Sequence, residues 1–353
     1  MTLYIGVDLH PYQQTVAWCD SETGETQTLT LRHELEKVRQ FYQQLPTGIV
    51  AIEASSKAVW FENLLSETNH QLLVGNPLTI RQRATSRHKS DRRDAELILH
   101  LLMKQEFPSI WRRSRENNQV LDILKLRHCL VRQRTQTYNR LQALARNFGL
   151  PKGSMKSNYY QALLKELEVD AVSRLQRSQL FKMIESFNAQ ISQLESWLQE
   201  QAGPDERVQL LLTQRGVGYL TALALVNSLG EISRFSHPTK QVPAYLGLEP
   251  LERESAGKSR RSSISRAGNF LTRYLLGQSA HLAARTDERL KSFYKRLAKK
   301  KPKGVAKTAT ARKLLVKLVI MLRDSITAEE FDQRGGTVND ARVTQGLQGP
   351  QGD

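Results

Sequence analysis

Apolar and polar residues alternate in short runs through the first third of the chain and recur at helical spacing through the rest. Residues 3–8 (LYIGVD), 14–19 (QTVAWC) and 26–31 (TQTLTL) read as three strands, with a turn at 21–25 around Gly24. Their close spacing predicts an antiparallel meander. Leu35 to Leu45 has helical spacing. Residues 49–54 (IVAIEA) read as a buried strand with Glu53 near its end. Trp60 to Thr68 reads as a helix, and 71–74 as a strand closed by Asn76-Pro77. Asp91 to Lys104 is a strong helix candidate, with Ala95, Ile98, Leu99, Leu102 and Met103 on one side.

Three strands followed by alternating helix and strand is the order expected of an α/β ribonuclease-H-like domain. The pattern then changes to two long helices, 115–149 and 173–201. Val120, Leu124, Val131, Tyr138, Leu141, Ala145 and Phe148 follow a heptad seam in the first. Leu180, Ile184, Phe187, Ile191, Leu194 and Leu198 alternate four and three apart in the second, the period of a coiled coil. Gly149, Pro151 and Gly153 break the pair. An antiparallel hairpin and a dimerising coiled coil both fit, and Arg127 and Arg134 on the first seam argue against a long dry core. Further on, Gly216-Val217-Gly218 separates two apolar helical stretches in 208–230. Helices are predicted at Lys240–Leu248, Phe270–Ala284 and Lys307–Ser325, a loop at 251–268, and a basic breaker at Lys299–Lys303. The organisation read from this is 1–110, an α/β domain; 111–205, a helical hairpin or coiled coil for assembly; 206–330, a mostly α domain; and 331–353, a disordered tail.

Composition adds the partner. The chain has 353 residues, 52 Lys+Arg against 35 Asp+Glu, a net charge of +17 and a pI near 9.9. With 39% apolar residues it can build a core, which excludes wholesale disorder. Its longest apolar run, Leu220 to Val226 with only Thr221 inside it, is far short of the ~20 residues that span a bilayer, so no membrane partner is expected. Residues 1–7 run straight into a strand pattern, without the marks of a signal peptide. Cys19 and Cys129 are far apart, which excludes a disulfide scaffold and fits a reducing, cytoplasmic compartment. A charge of +17 favours nucleic acid or another anionic surface. The excess is uneven: net −2 over 1–110, +6 over 111–205, +14 over 206–330 and −1 over the tail.

The slightly acidic first segment directs attention to its carboxylates. Asp8 and Glu53 close two strands, and Asp91 and Asp94 stand three apart at a helix start, so they share a face. Hard cations such as Mg²⁺ or Mn²⁺ take carboxylate oxygens gathered from several elements, and burying Asp8 and Glu53 without a cation is costly. In the second half, residues 255–268 (SAGKSRRSSISRAG) set five serines among Lys258, Arg260, Arg261 and Arg266. Guanidinium groups fork onto phosphates. The segment reads either as a phosphate-binding loop or as the seat of a nucleophilic serine, and its spacing does not say which serine. The Gly216–Gly218 turn reads either as a helix-hairpin-helix with amides open to phosphate or as a plain tight turn. Aromatics fall mainly at apolar positions, so stacking platforms for single strands are not expected.

The stretches YIGVDLH, AIEAS, VGNP, HKSDRRDAELI, QRGVGYLTALAL, YLGLEP and SAGK…ISRAGNFLTRYLL follow one another from residue 4 to about 276. In this order they resemble the Piv-invertase-like insertion-sequence transposases and recombinases, which carry an N-terminal RuvC-like DEDD domain and a C-terminal serine-bearing transposase domain. The resemblance implies that Asp8, Glu53, Asp91 and Asp94 are the DEDD metal ligands. It also implies that Ser255 is the nucleophile, attacking a DNA phosphodiester and holding the strand as a phosphoserine. It further implies donor and target DNA as substrates, a homodimer or homotetramer whose protomers share the site, and in some members a bridge RNA as guide. The chain departs from the family pattern at Ser255-Ala256-Gly257 for the usual Ser-Gly, at Lys89-Ser90-Asp91 for Lys-Thr-Asp, and at Glu53-Ala54-Ser55-Ser56 for Glu-Ala-Thr-Gly. Two other functions fit the same residues: a RuvC-like nuclease with water as nucleophile, and a non-catalytic nucleic-acid scaffold.

Overall fold

In the computed structural model of the chain, residues 2–54, 59–83, 90–155, 157–255 and 258–335 are described. They form two compact units, 1–112 and 113–353 by their outer limits. The first contains β1 (Leu3–Leu9), β2 (Gln13–Asp20), β3 (Thr26–Arg32), α1 (Leu35–Gln44), β4 (Gly48–Glu53), α2 (Val59–Ser66), β5 (Gln71–Gly75), α3 (Pro77–Gln82) and α4 (Asp91–Met103).

The five strands form one sheet in the order β3-β2-β1-β4-β5. β1, β2 and β3 make the expected antiparallel meander, and β4 and β5 continue parallel to β1. Alternation in β1 divides its side chains. Leu3, Ile5 and Val7 pack with Val38, Tyr42, Phe61, Leu64 and Leu65 of α1 and α2. Tyr4 on the other face packs with Ala95 and Leu99 of α4. The sheet is thus covered on both faces, as the first strand's nearly continuous burial requires. Two sequence expectations change here. Asn76-Pro77 closes β5 but also opens α3, with Asn76 as cap and Pro77 at the first helical position. Met103 is 41% exposed, and Leu101 takes its place on the buried side of α4.

The second unit contains α5 (Arg115–Asn147), α6 (Asn158–Glu166), α7 (Ala171–Ala202), α8 (Glu206–Leu212), α9 (Tyr219–Leu229), α10 (Pro238–Tyr245), β6 (Pro250–Ser255), β7 (Lys258–Ile264), α11 (Phe270–Thr286), α12 (Glu288–Ala298), α13 (Lys303–Asp324) and α14 (Ala328–Gln333). α5 and α7 pair antiparallel within the chain. Arg127 bonds Glu195, and Arg134 donates to Asn188 at 2.8 Å. The two seam arginines therefore form a polar belt between two apolar ends. One end joins Leu141, Ala145 and Ile184 with Tyr160 and Leu164 of α6. The other joins Val120, Leu121, Leu124 and Leu198 to a large core built mainly from α9, α11 and α13.

The fold continues past residue 330, against the expectation that the tail starts at 331. Phe331 is buried at the end of that core, and Asp332 pairs with Lys317 at 3.0 Å. Residues 336–353, the rest of the expected tail, lie outside the described residues. Among the described residues no helix is long and apolar enough to cross a membrane.

Candidate functional site

The first unit builds its site where β1 ends. Asp8 continues the face of β1 that carries Tyr4 and Gly6. At Gly6 a Cβ would lie 2.4 Å from the backbone nitrogen of Leu99 and 2.5 Å from the carbonyl oxygen of Ala95. Only glycine permits so close an approach, and it brings the first turn of α4 to the end of β1. Ser90 caps α4, accepting from the Arg93 amide. Asp91 and Asp94 occupy the first turn, where the helix dipole favours carboxylates. β4 runs parallel to β1 with Ile52 opposite Val7, so Glu53 is delivered to the same sheet end as Asp8.

His10 completes the cluster. Its Nε2 stands 3.0 Å from Asp8 Oδ2 and 3.2 Å from Asp91 Oδ1. Gln13 Nε2 donates to the other Asp91 oxygen at 3.4 Å. Burial raises the Asp8 carboxyl above its ordinary value. The nearby His10 works against that shift, while Asp94 and Asp91 add to it. His10 Nε2 and Asp8 Oδ2 approach at ion-pair distance, yet both are buried atoms without a well-aligned hydrogen-bond partner among the described residues. Asp8, His10 and Asp91 each offer a ligand atom, all within 4.8 Å of one another. Adjacent ligands of an octahedral cation at ~2.1 Å stand about 3 Å apart, a spacing that the Asp8–His10 and His10–Asp91 approaches match.

Of the four predicted acids, Asp8 and Asp91 are brought together and Asp94 adjoins them. Glu53 reaches the same sheet end, but its carboxylate pairs with Arg81 at 3.5 Å. Sequence reasoning missed His10, although Asp8-Leu9-His10 in extended chain already puts the two side chains on one face.

In the second unit, 251–268 is not simply a loop. β6 and β7 form an antiparallel hairpin with Arg253 opposite Arg260, Glu254 opposite Ser259 and Ser255 opposite Lys258. Both strands are almost entirely polar, so no apolar alternation announced them. Ser255 is the last residue of β6. The side chains of 252–262, including those of Ser255, Lys258, Arg260 and Arg261, and all of 256–257, lie outside the described residues.

The base of the hairpin is fixed by backbone contact. Gly247 and Gly268 both have positive φ. A Cβ on Gly247 would lie 2.2 Å from the Ala267 oxygen, and one on Gly268 2.1 Å from the Tyr245 oxygen. The Ser265 amide donates to Glu249 at 2.9 Å, Arg266 is exposed in a left-handed conformation, and Arg273 donates to the carbonyls of Leu246 and Ala267. The glycines of YLGLEP and SRAG thus hold the hairpin to the end of α10.

The Gly216 turn also has a packing reason. Its φ is +88°, and a Cβ there would lie 2.5 Å from the Ala283 nitrogen of α11. Gly218 caps α9 without a side chain, and space is open beside it.

A mixed α/β sheet with acids gathered at the end of its first strand, followed by a helical region, is consistent with a DEDD, ribonuclease-H-like transposase. Domains of that type are typically metal-dependent. Residues 5–148 match a DEDD transposase model of the IS110 group, and residues 208–295 match the model described as "Transposase IS116/IS110/IS902 family". By these matches and its relatives, the chain belongs to the IS110/IS116/IS902 transposase family. It is 28% identical over 295 residues to a probable family 20 transposase of Pseudomonas aeruginosa, covering 80% of this chain and 86% of that one. It is 28% identical over 256 residues to the transposase for insertion sequence element IS1111A of Coxiella burnetii, covering 69% and 70%. It is 27% identical over 280 residues to the transposase for IS1328 of Yersinia enterocolitica, covering 79% and 83%.

Proposed function

We propose that the protein is an insertion-sequence recombinase that cuts and rejoins DNA through a covalent phosphoserine at Ser255. The acid cluster of the first unit assists, and a dimer or tetramer shares the site between protomers. The observation that carries the metal part is the His10 Nε2–Asp8 Oδ2 approach of 3.0 Å between buried atoms that lack aligned partners. Asp8, His10 and Asp91 would hold a Mg²⁺ or Mn²⁺ ion, with Asp94 and Glu53 beside them. A bound cation supplies charge to offset the phosphate oxygens.

In the first step the Ser255 hydroxyl oxygen bonds to phosphorus and the bond to one sugar oxygen breaks, that oxygen leaving as a protonated hydroxyl. In the second step the sugar hydroxyl of the exchanged strand attacks the phosphoserine, and Ser255 recovers its proton. Rejoining thus needs no external energy source, because each phosphoester made replaces one broken. Lys258, Arg260, Arg261 and Arg266 supply positive charge to the strand backbone, and Gly218 an open amide at the start of α9.

The test traps the protein on a suicide DNA substrate. Wild type is expected to form the adduct and Ser255→Ala none. An adduct with Ser255→Ala overturns the nucleophile assignment, and release of hydrolysed ends by wild type points to water instead. Sequencing the nucleic acid that co-purifies with the protein decides whether a guide RNA belongs to the working complex.

A further inference from the structure

One face of the second unit carries exposed aromatic rings set among basic groups. Phe270 is 61% exposed and Tyr274 42% exposed, four residues apart on α11. Their ring planes are 25° from parallel. His128 of α5 lies against both, its ring 4.8 Å from that of Tyr274 and 6.2 Å from that of Phe270. Beside the cluster is a hollow of about 450 Å³ whose lining includes Arg113, Lys125, His128, Tyr245, Asn269 and Phe270. That volume is within the roughly 300–1,000 Å³ typical of small-ligand sites.

Aromatic side chains of a folded unit ordinarily lie in its core, and the Phe270 and Tyr274 rings do not. The charge around them is mostly of one sign. Burial lowers the His128 imidazole below its ordinary value, and the nearby Arg132 and Arg127, the latter paired with Glu195, add to that shift. Arg113 donates to Tyr245 at 3.2 Å. Lys125 pairs with the exposed Asp122 at 2.8 Å, an acid on the same helix. A basic rim repels a second copy of a chain with net charge +17 and attracts phosphate. Flat rings with positive charge alongside are the parts that stack and hold single strands.

We infer that this aromatic–basic hollow between α5 and α11 binds an unpaired nucleobase of a DNA or RNA strand, stacked on Phe270 at its edge, with Tyr274 bracing the Phe270 and His128 rings and the strand's phosphates on Arg113 and Lys125. The site would hold a base displaced from its duplex. The inference rests on the nucleic-acid reading above but not on the acid cluster or Ser255.

The probe is a single strand carrying 2-aminopurine, made as DNA and as RNA of the same sequence, with a matched duplex as control, titrated onto the full chain. Wild type is expected to quench the probe. Phe270→Ala and Tyr274→Ala should lose the quench and weaken single-strand binding about 5- to 100-fold, with duplex affinity held within about twofold. Tyr274→Phe, which keeps the ring, should bind as wild type. Tighter binding of either single strand identifies the natural source. Equal affinity of the alanine variants and wild type for single strands overturns the site, as does an equal loss for duplex. A change in sedimentation of those variants without nucleic acid also overturns it, by showing a protein interface. Asp8→Ala and Ser255→Ala should leave the quench intact, which separates failure of this site from failure of the recombination reading.

Discussion

The backbone of Gly6 lies against the carbonyl of Ala95, where a Cβ would stand 2.5 Å from the oxygen. This contact sets α4 on β1 and so fixes how far Asp91 and Asp94 stand from Asp8. Gly6→Ala must push the helix away. It should cost about 1–3 kcal/mol of stability by overpacking, and divalent-cation affinity should fall with it. Denaturant titration and Mn²⁺ binding measure the two effects. An unchanged cation affinity in a destabilised variant would show that α4 does not position the acids.

The Asp8 carboxyl is held above its ordinary value, mainly by burial. In the pH window between the ordinary and the folded value, the folded state binds more protons than the unfolded one. Stability of the metal-free protein therefore falls as pH rises through that window. Asp8→Asn should remove that loss and raise the metal-free melting temperature at neutral pH, while abolishing strand exchange. A lower melting temperature for Asp8→Asn at pH 7 would contradict this.

His10 offers a nitrogen beside two carboxylates. Imidazole suits transition metals better than Mg²⁺. His10→Ala should therefore weaken Mn²⁺ binding about 10- to 100-fold, by analogy with the loss of a ligand's supporting partner, and Mg²⁺ binding less. Calorimetric titration with each ion checks this, and an equal loss for both would rule out a nitrogen ligand.

Lys317 and Asp287 are buried partners at 3.4 Å, and Asp332 joins them from α14. Lys317→Ala leaves Asp287 without its charge partner and should cost about 3–5 kcal/mol. Lys317→Met combined with Asp287→Asn should cost less than Lys317→Ala alone. Thermal unfolding of the variants reads both effects.

The regular part of the fold was legible because its side chains alternate or recur with a period. Leu3, Ile5 and Val7 announced a strand, and Ile184, Ile191 and Leu198 a helix seam. Where period and burial part company, the sequence said less. β6 and β7 are held by backbone pairing with hardly any apolar residues, so Ser255 read as part of a loop. Phe270 and Tyr274 fall in a helix read from its apolar spacing, and such spacing reports a face, not what covers it. Asp8, Asp91 and Asp94 were legible as strand-end and helix-start acids, whereas His10 was not singled out beside them.

By itself the sequence determined the α/β order of the first unit, the two long helices and the placing of net positive charge in the second half. Each of these follows from local composition and period. Tertiary structure decided the partnerships. It turned two candidate coiled-coil seams into one intrachain hairpin belted by Arg127 and Arg134. It directed Glu53 to Arg81, and closed His10 on Asp8 and Asp91. Those outcomes depend on how closely distant elements approach, and at Gly6 and Gly216 that approach is set by the absence of a side chain.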